Sequence, residues 1–72
     1  MMTSTFNAIK EGDWIKLSTN GKIYRIIGRT LNYYYLREMT KSGDEYIEGN
    51  QDIAGPMLFI KTFAEVYKPY GE

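Results

Sequence analysis

The chain contains no cysteine and no histidine. Without thiols it can form neither a disulfide nor a thiolate metal site, and cysteine usage carries no sign of an oxidising compartment. Without imidazole it lacks the side chain best suited to proton transfer near neutrality, and with it the Cys-His and Ser-His nucleophile systems. The usual ligand sets for zinc, iron and copper are missing too, so no metal and no cofactor is expected. Long apolar runs are also absent: no stretch approaches the about eighteen residues of a membrane-crossing helix, which makes the cytoplasm the default location and a membrane partner unexpected. The opening MMTSTFNAIK has no basic region leading into an apolar run, so no secretory signal is expected. Nor does one sign of charge dominate. Nine basic and nine acidic residues cancel, and general attraction to a polyanion is not expected.

What is present fits one small domain, residues 1–72. A chain this short buries only about 60% of the surface its unfolded form exposes, so the core is small. Charge is uneven along it. Lys16, Lys22, Arg25, Arg29, Arg37 and Lys41 face the single acid Glu38 between residues 14 and 41, whereas residues 42–72 carry six acids and two lysines. Such a division suits either a basic binding face beside an acidic flank or, more simply, strands of opposite charge that pair in space.

Alternation supplies the fold class. In DWIKLS, Ile15 and Leu17 alternate with Trp14, Lys16 and Ser18, a half-buried strand. Asn20-Gly21 then predicts a tight type I′ hairpin turn into KIYRIIGRT. The phase that keeps charge out of the core puts Tyr24 and Ile26 inward and Arg25, Ile27 and Arg29 outward, with Gly28 as a bulge or bend. Asn32 turns the chain into YYYLREM, where Tyr34 and Leu36 point inward and Tyr33, Tyr35 and Arg37 outward. KSGD leads to a short strand EYIEG around an inward Ile47, and GNQDIAGP reads as loop. MLFIKTFAEVYKP is a buried strand by its Phe, Ile, Thr, Val and Tyr content, interrupted by a short helical turn near Phe63; read as a helix it would instead align Phe59, Phe63, Val66 and Tyr67.

The expected fold is therefore all-β, a small antiparallel five-stranded barrel with one short helical turn near its C-terminal end. The stretch EGDWIKLSTNGKIYRIIGR resembles the opening hairpin of Tudor/KOW-type barrels of the Src-homology-like architecture, with a Gly-Asp pair before the first strand and a glycine turn before the second. The resemblance covers roughly the first thirty residues. It implies a recognition module and transfers no binding residue.

Catalysis finds little support. Asp44, Glu45 and Glu48 cluster in sequence but sit at and after a turn, and no hydroxyl has a recognisable base nearby. No catalytic residue is assigned. SGDEYIEGNQD lacks the acid spacing of a calcium loop, and Gly21-Lys22 lacks the surrounding residues of a phosphate loop. The informative constellation is aromatic and basic: Trp14, Arg25, Arg29, Tyr33, Tyr35 and Arg37 are expected on one sheet face. Trp, Tyr and Arg supply the anchors of protein interfaces, and a protein partner is the leading expectation. The same groups can stack bases and neutralise phosphates, which keeps a nucleic acid or a nucleotide-like ligand as the alternative. A non-enzymatic adaptor or inhibitor, of the kind found among small phage and mobile-element accessory proteins, fits this reading. An apolar strand Met57–Ile60 would also permit a homodimer.

Overall fold

Alternating burial is what converts these short runs into a sheet. In the computed structural model, residues 9–69 are described; the readings of residues 1–8, including most of the opening stretch examined for a signal, lie outside them. Six strands form: β1 (Trp14–Leu17), β2 (Ile23–Arg29), β3 (Tyr33–Ser42), β4 (Glu45–Glu48), β5 (Ile53–Pro56) and β6 (Ala64–Tyr67), with helix α1 (Met57–Phe63) between the last two. All pairings are antiparallel. The ladder runs β4-β3-β2-β1-β6, and β5 adds to β3 beside β4. The expectation of an antiparallel all-β domain with one short helix holds. The expected closed five-stranded barrel does not form: the sheet has six strands and its hydrogen-bonded path stays open between β4 and β6.

One face of this sheet builds the core. Ile15, Leu17, Tyr24, Ile26, Tyr34 and Leu36 are buried there with Ile9, Ile60 and Ala64, in the predicted phase for β1, β2 and the first half of β3. The Tyr34 hydroxyl donates to the Ile9 carbonyl at 3.3 Å, so the one polar atom of this large ring is satisfied inside. Each such apolar side chain contributes about 1.5–3 kcal/mol on burial.

Several local expectations are corrected. Gly21 takes φ of 72°, but among the described residues no non-glycine has positive φ, so Asn20-Gly21 cannot be a type I′ turn. Five residues instead separate β1 from β2, closed by the Gly21 N–H donating to the Leu17 carbonyl at 2.7 Å and by Asn20 Oδ1 accepting from the Lys22 N–H at 2.8 Å. An asparagine side chain that caps its own loop removes the need for two left-handed residues. Part of the supposed loop at Gly49–Pro56 is strand β5, because the extended N-terminal half of β3 offers it a free edge. The Met57–Ile60 segment is helix, not strand. The helical turn carries Ile60 into the core and ends at Ala64, which has extended backbone and is buried beside it as the first residue of β6, and only a glycine at 55 leaves Ile60 room: a Cβ there would stand 3.1 Å from Ile60 Cδ1. Ile47 keeps the parity of the core residues but is 58% exposed, lying beyond the end of the core.

Candidate partner-binding surface

Register decides which of the candidate side chains share a face. Trp14 lies opposite Arg25, and Arg25 opposite Arg37, so these three project from the same side of the sheet, away from the core. They do not form an open surface. The Arg25 guanidinium donates to Glu48 Oε1 through Nε at 3.1 Å and Nη2 at 2.5 Å, and Arg37 donates to Glu48 Oε2 at 3.1 Å and to Asp52 Oδ1 at 2.7 Å. The hydrogen bond from Arg25 chiefly holds the Glu48 carboxyl below the ordinary glutamate range, against some desolvation. Asp52, then Glu48, likewise hold the Arg37 guanidinium more firmly protonated. With Lys22 3.8 Å from Glu38, half of the basic residues between 14 and 41 resolve into ion pairs, the one from Arg25 reaching across β3 to Glu48 on β4. The paired-strand reading accounts for Lys22, Arg25 and Arg37.

Trp14 is also engaged within the molecule. Its ring stands 5.0 Å from that of Tyr46, edge to face, and Tyr46 stands 6.4 Å from Tyr67. Neither Tyr46 nor Tyr67 is among the site residues expected from the sequence. Tyr67 lies directly opposite Trp14 on the adjacent strand β6, whereas Tyr46 is brought in by curling of the sheet: β1 and β4 are three strand spacings apart, on the order of 14 Å in a flat sheet, yet the Trp14 and Tyr46 rings touch.

Arg29 departs from the expected face. The ladder slips between Ile26 and Gly28, so that Gly28 faces Tyr35 and Arg29 faces Tyr34. The bulge adds one residue and reverses the alternation beyond it. Arg29 therefore falls on the side of Tyr34, exposed at the end of the sheet, and not beside Arg25 and Arg37.

Tyr33 and Tyr35 do stand outward as expected, 45% and 39% exposed, while Tyr34 between them is fully buried. Their neighbours explain the exposure. Tyr35 is flanked by Gly28 on β2 and Ala54 on β5, and Tyr33 by Pro56, so small or flat residues leave both rings uncovered. Tyr33 also lines a groove of about 420 Å³ with Leu31, Pro56, Met57 and Leu58. Leu31, at the tip of the turn between β2 and β3, is 89% exposed. That turn is pinned: Thr30 Oγ1 accepts from the Asn32 and Tyr33 N–H groups, and the Asn32 carbonyl accepts from the Met57 N–H at 2.9 Å. The sequence signal for this groove is only a leucine inside a polar turn, and pairing with α1 cannot be read from it.

The acids considered for catalysis separate. Asp44 and Glu45 are exposed at the β3–β4 turn, whereas Glu48 is held by the two arginines. Among the described residues no group of three acidic side chains is arranged to hold a metal ion, and no helix is long and apolar enough to cross a membrane. No family model, characterised protein or solved structure matches the chain.

Proposed function

We propose that this domain is a non-enzymatic protein-binding module whose contact surface is the Tyr33–Tyr35 ladder together with the adjoining groove. The observation that carries this reading is the ladder itself: two rings side by side on one strand, uncovered because the register sets Gly28, Ala54 and Pro56 beside them. Rings held on a paired strand lose little freedom on binding and bury large area, as interface anchors do. Trp14, Arg25 and Arg37 lie beside this surface on the same face of the sheet, and Arg29 lies at its rim in an adjoining hollow with Leu31 and Met57.

The recognition-module reading of the Tudor/KOW-like opening hairpin is supported by the return of β6 to pair with β1 and by the curl that brings β4 toward β6, the tendency of a sheet approaching closure. A cytoplasmic adaptor or inhibitor, such as a phage accessory protein, remains the setting that the cysteine-free small chain fits best. Pairing of Arg25 and Arg37 with carboxylates weighs against nucleic acid, since those guanidiniums are already neutralised.

The test is capture of partners from cell extract by the wild-type chain and by a Tyr33→Ala, Tyr35→Ala double variant that keeps its melting temperature. A protein retained by the first and lost by the second supports the proposal; equal retention refutes it. An electrophoretic shift of mixed DNA and RNA at low salt, steeply lost as salt rises, would favour the nucleic-acid alternative.

A further inference from the structure

Among the described residues, the groove beside Tyr33 is lined by charge of one sign. That groove, lined also by Leu58 and Lys61, adjoins a second hollow lined by Arg29 and Thr30, and the two meet at Leu31 and Met57, which line both. Among the described residues no carboxylate lines either hollow. Whereas Lys22, Arg25 and Arg37 each reach a carboxylate, Arg29 and Lys61 make no ion pair among the described residues. An apolar floor of Leu31 and Met57 with an unneutralised cation on either side is thus presented on a turn already fixed by hydrogen bonds that Thr30 Oγ1 accepts and the Met57 N–H donates. Such fixing lowers the ordering cost of binding.

We infer that this groove receives a short acidic, amphipathic segment of the partner protein, with Leu- or Phe-like side chains on Leu31, Met57 and Leu58 and carboxylates toward Arg29 and Lys61. This rests on the protein-binding reading above and names the chemistry of its partner. A second copy of the chain fits less well, because a symmetric groove-to-groove contact would bring the same cations together. A nucleic acid fits less well because the floor between the two cations is aliphatic and offers stacking to one ring only.

The experiment is selection from a displayed random-peptide library on the intact chain, followed by titration of the recovered peptides. The inference expects peptides enriched in Asp and Glu among Leu, Phe and Met. Their affinity should fall at least about tenfold on Arg29→Glu with Lys61→Glu, and again on Leu31→Asp, with the melting temperature retained. On the labelled wild-type chain, they should shift the amide signals of Leu31, Met57 and Lys61. Basic or uncharged peptides, no recovered peptide, or affinity indifferent to the charge reversal would overturn it. So would self-association that Leu31→Asp abolishes, or oligothymidylate shifting the same signals. Failure here, with native partner capture still dependent on Tyr33 and Tyr35, would remove the acidic-segment inference and leave the binding module standing.

Discussion

The hydroxyls of Tyr46 and Tyr67 lie 2.8 Å apart and join β4 to β6, the two ends of the sheet's strand order, through side chains. With Trp14 edge-on to Tyr46, they fasten the curl of the sheet on the side opposite the core. Aromatic residues that read as surface are thus engaged with one another.

Removing either hydroxyl breaks the same bond. Tyr46→Phe and Tyr67→Phe should each cost about 1 kcal/mol, and the double variant should cost little more than either alone. Trp14→Ala should cost about 3 kcal/mol, since a large half-buried ring is lost. Thermal unfolding reads these directly, at about 4–8 °C per kcal/mol for a domain of this size. Additive losses from the two phenylalanines would show that the hydroxyls act separately.

The three adjacent tyrosines should respond unequally to truncation. Tyr34→Ala empties a fully buried site and should cost about 3–5 kcal/mol, enough to unfold much of the population. Tyr33→Ala and Tyr35→Ala should each cost about 1 kcal/mol or less. Urea denaturation of the three variants gives the comparison, and similar losses at all three would contradict the strand phase.

Two glycines outside the tight turns should also separate. A Cβ on Gly28 would meet only ordinary contacts, 3.9 Å from Glu11 and from Tyr35, whereas one on Gly55 would press on buried Ile60 at 3.1 Å. Gly55→Ala should therefore destabilise by about 1–3 kcal/mol and Gly28→Ala by much less, as melting temperatures will show.

Acid should weaken the fold partly through Glu48. Its folded-state carboxyl titrates below the ordinary value of 4.5 because Arg25 and Arg37 hold it ionised. A lowered value means stability fully present above that ordinary value and lost as pH falls through the folded one. Denaturation midpoints measured from neutrality down to strong acid should fall for the wild type. Glu48→Gln should start lower at neutrality and lose less over the same range; parallel curves would show that the two arginines do not depend on this carboxylate.

How far the sequence reached depended on whether a feature is local. Alternation fixes the faces of Tyr24, Ile26, Tyr34 and Leu36, because burying an arginine is costlier than any competing phase. The position of Arg29 was not legible in the same way. Gly28 marked the bulge, but only the partner strand shows that the ladder slips there and reverses the side beyond it. Strand β5 was hidden for a similar reason, since it needs the free edge of β3, and of helix α1 only the turn near Phe63 was expected, because its extent over Met57–Ile60 depends on Gly55 making room for Ile60. The pairing of Glu48 with both arginines was visible only as a charge imbalance, since contacts between β2, β3 and β4 choose the partners. Leu31 gave no periodic signal at all, and its prominence comes from the pinned turn that presents it.

The most direct test of the binding surface is a map of amide chemical-shift changes on the labelled chain when a captured partner is added. The account predicts changes centred on Leu31, Tyr33, Tyr35, Ala54 and Met57. Changes centred on Trp14, Tyr46 and Tyr67, with the tyrosine ladder unaltered, would contradict it.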